Sequence, residues 1–220
     1  SSVYAETSIF EPHRTLLPMN EVAPSLAAMY DHRREEGYLS GDEVEQTAVD
    51  TAFGVIRFES GAIGQLGMTD TSHGQSLGVS TISGSEGTLY RSQSRSGQSP
   101  RILRNDGTEL TGDALLDLVP DFMLDKTTST LWDGEQRISS YDMDFRLIDS
   151  KILAYEYIDM VQAVESGGQP EVGPEEGIQA LALAYALVES GVKGESITLQ
   201  DVADGLVSFY QDEINTQMGI

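Results

Sequence analysis

The 220-residue chain contains no cysteine, which removes disulfides, thiolate nucleophiles and Cys-ligated zinc or iron–sulfur sites from consideration. Cation is scarce. Thirteen Lys plus Arg face 36 Asp plus Glu, a formal charge of −23, and lysine occurs only at Lys126, Lys151 and Lys193. A general phosphate-backbone binder needs the opposite sign, so nucleic acid is excluded as an expected partner. No apolar run approaches the roughly 18 residues of a membrane span. The first residues, Ser1 to Ala5, carry neither an initiator Met nor a basic-then-apolar signal pattern and enter a strand pattern at once. The chain is therefore expected to begin in the middle of a longer polypeptide. An acidic surface so poor in lysine also suits solubility in high salt, which makes a halophilic source a working hypothesis.

What is present begins with a β pattern. Val3 to Phe10 is rich in β-branched and aromatic residues and breaks at Pro12. Residues 11–46 combine Pro18, Pro24 and the charged run Asp31 to Glu36, with a short helix expected around Ser25 to Tyr30, and are read as a long excursion from the sheet. From Thr47 the alternation is plain. Val49, Thr51, Phe53, Val55 and Arg57 share one face, and Ala48, Asp50, Ala52, Gly54, Ile56 and Phe58 the other. A turn at 59–62 returns the chain as a strand over 63–70, and further strands follow at 76–83 and 88–91 around a turn at 84–87. A hairpin is expected over 101–110, whereas 92–100 and 111–135 read as irregular.

The last third is helical. Ile148, Ile152, Tyr155, Ile158 and Val161 fall at helical spacings over 147–166, before Gly167-Gly168. Pro174 with Glu175 and Glu176 makes a favourable first turn for a helix that should be largely buried and capped by Gly191. Thr198 and Asp201 resemble a capping box opening a helix through Val202, Leu206 and Phe209. Strands followed by helices give an α+β class: one domain over 1–220, an open-faced, mainly antiparallel β-sheet with helices packed on one face.

Catalytic motifs are scarce. Gly74-Gln75-Ser76-Leu77-Gly78 matches a nucleophile elbow, but it leads into a strand, and all three histidines (His13, His32, His73) precede its serine. Gly61-Ala62-Ile63-Gly64-Gln65-Leu66-Gly67 lies between two strands and has the wrong spacing for a dinucleotide loop. There is no Walker pattern, no H-x-x-x-H, and no metal-ligand signature; Asp31, Glu35 and Glu36 read as a solvated acidic face. His13 and Arg14, directly after a strand, can meet an anionic or polyhydroxylated ligand, as can Asp70 and His73 after the strand at 63–70. These four are the candidate substrate-binding residues. Trp132, the single tryptophan, suits a core or interface anchor, with stacking on a sugar ring as the alternative.

Two stretches together carry a resemblance. Val49 to Leu66, with Phe58-Glu59-Ser60-Gly61-Ala62-Ile63-Gly64 at its centre, and Ile82 to Leu89, with Gly84-Ser85-Glu86-Gly87, are similar to the strand–turn–strand run of the C-terminal domain of Gfo/Idh/MocA oxidoreductases. Tyr157 to Gly167, Pro170, Glu176 to Gly191 and Gly194 to Leu199 resemble that family's closing helices. The resemblance implies a cytoplasmic two-domain enzyme in which a Rossmann domain binds NAD or NADP. Its second domain shapes a pocket for a sugar, inositol or related polyol and joins copies into a homo-oligomer through the sheet.

This chain lacks the glycine-rich nucleotide loop, the E-K-P motif with its catalytic lysine and the D-x-x-x-H that precedes the domain's first strand. The catalytic residues are therefore unknown, and neither Lys126 nor any histidine inherits those roles. No cofactor is expected on the 220 residues alone, which should be inactive without their Rossmann domain. A free-standing, non-catalytic sheet module serving assembly or ligand binding is the alternative.

Overall fold

The computed structural model describes residues 1–15, 42–72 and 78–219. The expected short helix at 25–30, the acidic run at 31–36 and the Gly74–Gly78 elbow motif fall partly or wholly outside these. The chain divides into two compact units, one formed by Ser1–Gln75 with Pro174–Ile220 and the other by Ser76–Gly173.

The first unit is a four-stranded antiparallel sheet with a helix on one face. Strand β1 (Ser2–Ser8) pairs with β4 (Thr51–Arg57), and β4 with β5 (Ile63–Thr69), while the two-residue β10 (Ile197–Thr198) adds to the outer edge of β1. Val3 stands opposite Ile56, and Ala5 opposite Gly54. These residues lie on the face that helix α4 (Pro174–Lys193) covers, and the buried cluster is Val3, Ala5, Ile56, Ala186, Leu187 and Ile197. The expected two-faced alternation of residues 48–58 holds over 52–57, but Thr51 is buried and Phe58 is 45% exposed. Ala52 and Ile56 are buried, while Phe53 on the other face is 59% exposed.

Close approach between α4 and the sheet depends on small residues. A Cβ on Gly54 would lie 2.6 Å from Leu187 Cδ2, and one on Gly191 would lie 2.1 Å from Thr7 Oγ1. Because β10 is so short, the amide of Ala5 has no ladder partner on that side, and the buried Ser190 hydroxyl accepts its hydrogen bond at 2.9 Å instead. Gly191 is therefore inside the helix at its contact with β1 and not its cap. The cap falls three residues later at Gly194, where φ is +71°. Replacing Gly191 with valine is expected to push α4 off β1 and cost about 2 kcal/mol or more, checked by the urea midpoint against wild type.

Helix α4 is buried along one stripe only. Ala182, Ala186, Leu187, Glu189 and Ser190 are covered, whereas Leu181 is 61% exposed and Ile178 and Tyr185 are also open to solvent. The expectation of a largely buried helix fails because β1 and β4 offer one face to pack against. The capping-box start at Thr198 is present, its hydroxyl accepting from the Asp201 amide, but that helix, α5 (Leu199–Ala203), ends before Leu206. Phe209 opens a separate helix, α6 (Phe209–Met218), because Gly205 at φ +68° breaks the path.

The second unit has its own four-stranded antiparallel meander, β6 (Ser80–Gly84), β7 (Gly87–Arg91), β8 (Arg101–Arg104) and β9 (Glu109–Thr111). The stretch expected to be irregular holds two short helices, α1 (Asp113–Leu116) and α2 (Lys126–Leu131). Asp125 caps α2 by accepting from the amides of Thr127 and Thr128. Their carbonyl ends are met by cations from elsewhere in the unit: Arg137 donates to Leu116 and Val119 oxygens, and Lys151 to Leu131. Helix α3 (Phe145–Ser166) runs close to the expected span, capped by Asp144 at one end and left-handed Gly167 at the other. Trp132 packs edge-on against Tyr141 with 6.2 Å between ring centroids.

Candidate functional site

Strand β2 (His13–Thr15) pairs with β3 (Glu43–Glu45), a small ribbon inside the expected excursion. Its position is fixed by Asp50, a residue that chain pattern alone placed merely on one face of a strand. Asp50 is fully buried just before β4 and reaches in three directions. Its carboxylate accepts the amides of Phe10 at 2.9 Å and Glu11 at 3.0 Å, holding the turn after β1. Its own amide donates to Ser8, and its carbonyl accepts the amide of Asp70 at 2.9 Å. Arg14 Nη2 stands 3.6 Å from the same carboxylate, with Arg14 Nε 3.5 Å from Glu11 Oε2.

Two of the candidate residues, Arg14 and Asp70, thus come together at one end of the sheet with Asp50 between them. Arg14 is half-buried between two carboxylates, and its Nε and Nη2 are shielded from solvent at distances long for hydrogen bonds. His13, on the same strand, is exposed, with Nδ1 3.6 Å from Glu43 Oε1. Asp70 is exposed at the end of β5, and His73 lies outside the described residues. Beside them, the hydroxyls of Thr51, Thr69 and Thr71 form a closed triangle with sides of 3.0, 3.2 and 3.0 Å.

The electrostatics follow from this arrangement. Burial acts to raise the Asp50 pKa, but the amides of Glu11 and Phe10, the Thr51 hydroxyl and the Arg14 charge together hold it below the ordinary carboxylate value. Arg14 is the cation placed against both Glu11 and Asp50. The exposed groups at this end of the sheet, His13 and Asp70, can exchange hydrogen bonds with a ligand rich in hydroxyl groups. Neither the threonines nor Asp50 belonged to a recognisable motif. The available signal was an aspartate sharing a strand face with Ala52 and Ile56, where an unpaired carboxylate is costly if that face is buried.

Gly61-x-x-Gly64-x-x-Gly67 turns between β4 and β5, which are paired antiparallel, so no helix N-terminus follows to receive a pyrophosphate. Among the described residues no three His, Asp or Glu side chains gather as a metal-binding set.

Residues 14–199 match the family model described as the oxidoreductase family, C-terminal alpha/beta domain, of Gfo/Idh/MocA type. The chain belongs to this family. Solved structures with the same fold include an oxidoreductase from Agrobacterium radiobacter in complex with NAD+, L-tartaric acid and magnesium, at 16% identity and TM-score 0.52, covering 92% of this chain and 44% of that one. An NAD binding oxidoreductase from Klebsiella pneumoniae gives 17%, 0.55, 90% and 45% in the same order. Levoglucosan dehydrogenase in its apo form gives 20%, 0.55, 90% and 45%. The chain therefore spans less than half the length of the structures it resembles. No curated protein matches it. The Gfo/Idh/MocA fold accounts for the open antiparallel sheets with helices, and no described helix is long and apolar enough to cross a membrane.

Proposed function

We propose that this domain is the substrate-side and assembly part of an NAD(P)-dependent oxidoreductase, a cytoplasmic enzyme acting on a sugar, inositol or related polyol. Its own Rossmann domain would supply the cofactor site. The observation that carries this reading is the family match over residues 14–199. His13, Arg14, Asp70 and His73 are proposed to line the substrate side, with Asp50 orienting the first three elements around them.

The open face of the first unit's sheet is proposed as the surface that joins two copies. Tyr4, Phe53, Val55 and Ile63 are exposed there on adjacent strands, while the opposite face is already covered by α4. The acidic, lysine-poor composition supports a salt-loving source.

The test is one preparation from the native source, taken through intact mass, sedimentation and NADH fluorescence. A mass well above the 23.9 kDa of this chain, with NADH binding and a sedimenting oligomer, is the expected result. A mass near 23.9 kDa, without binding, would instead establish the free-standing module.

A further inference from the structure

On the far side of α4 from the sheet lies a cavity of about 300 Å³, walled among the described residues by Ile178, Leu181 and Tyr185 of α4 and by Val202 and Val207 on and after α5. Glu189 also lines it. This side chain is only 2% exposed, and among the described residues its polar partner is the amide of Tyr210, which donates to Oε2 at 3.1 Å. Lys193, one turn along the same helix, does not pair with it but sits over the Phe209 ring, 4.3 Å from the centroid.

We propose that this cavity is a binding site for a small organic cation, a protonated amine on an apolar body, with Glu189 as its counter-ion. A carboxylate has about four acceptor positions, and the described residues fill one of those of Glu189. The N-terminal end of α6 supplies that donor, since Ser208 turns its hydroxyl to Asp212 and leaves the cap to Glu189. A buried carboxylate so thinly paired gains from a donor with positive charge, and an ammonium brings both charge and N–H groups. The surrounding Leu, Ile and Val walls favour an apolar body over a polyol. The acidic surface raises the local concentration of any cation. None of the residues in the polar cluster around Asp50 lines this cavity, so the site stands independently of the dehydrogenase reading.

The test titrates the full, ¹⁵N-labelled chain with benzylamine and, in parallel, with benzyl alcohol, which has the same ring and no charge. Benzylamine is expected to bind saturably, with shifts confined to α4, α5 and α6. The alcohol should bind at least about tenfold more weakly, the usual worth of a charge-assisted hydrogen bond. Glu189→Gln keeps an acceptor for the Tyr210 amide and should reduce the amine to the affinity of the alcohol. Leu181→Trp, at an exposed position that tolerates bulk, fills the mouth and should abolish the shifts if Glu189→Gln fails to fold. Equal binding of amine and alcohol, shifts spread over the whole acidic surface, or full binding by Leu181→Trp would each overturn the site.

Discussion

Asp50→Ala is expected to lower the Tm by roughly 5–10 °C, well beyond the effect of an ordinary surface substitution. The change removes the acceptor for the amides of Phe10 and Glu11 and leaves Arg14 with Glu11 alone. The turn after β1 and the β2–β3 ribbon should both loosen, because Asp50 is what holds them against the sheet. Since its folded-state pKa is depressed, the stabilisation is fully present above the ordinary carboxylate value near 3.9 and is lost as pH falls through the folded value. Asp50→Asn should therefore flatten the acid limb of the stability profile below about pH 4 while disturbing the packing less than alanine does. Thermal melts of wild type, Asp50→Ala and Asp50→Asn between neutral and acid pH separate the two effects. An unchanged Tm in both variants would remove Asp50 from the account of the site.

The same residue shows where sequence alone stops. Period-two alternation located β4 and the turn at 59–62 located β5 as its return strand, though neither said which face met the core, and the 3.6-residue period located α3 and α4 within a few residues. Both signals are local. Missed features depend on what lies across space. Gly191 looked like a cap because glycine ends helices, yet its lack of a Cβ serves contact with Thr7, nearly two hundred positions earlier. Phe209 looked continuous with Val202 until Gly205 turned the chain. Arg14 and Asp70 could be nominated as polar residues at strand ends, but their meeting through Asp50 has no periodic trace. Capping Asp125 and Asp144 did carry a local signature, and α2 was overlooked because six residues are too few to show a period.

Raising KCl from about 0.1 M to about 2 M is expected to raise the Tm by roughly 10 °C, most of it gained below about 1 M as the Debye length shortens from about 10 Å to about 3 Å. The reason is the imbalance of 36 acids against 13 Lys and Arg. Several of the cations are already committed locally: Arg14 to Glu11 and Asp50, Arg95 to Asp149 at 2.7 Å, Arg101 to Glu109 at 3.2 Å, and Lys151 near Asp133. The remaining acids repel one another across the surface, and that repulsion works against the compact state. Screening relieves it in proportion to the excess. Surface ion pairs weaken in the same salt, but each contributes at most about 1 kcal/mol, so their loss does not cancel the gain. A response that saturates near 1 M identifies screening, because salting-out of apolar surface would keep rising with concentration. A flat or falling Tm would show that the excess charge is spread too thinly to matter, and the salt-loving source would go with it.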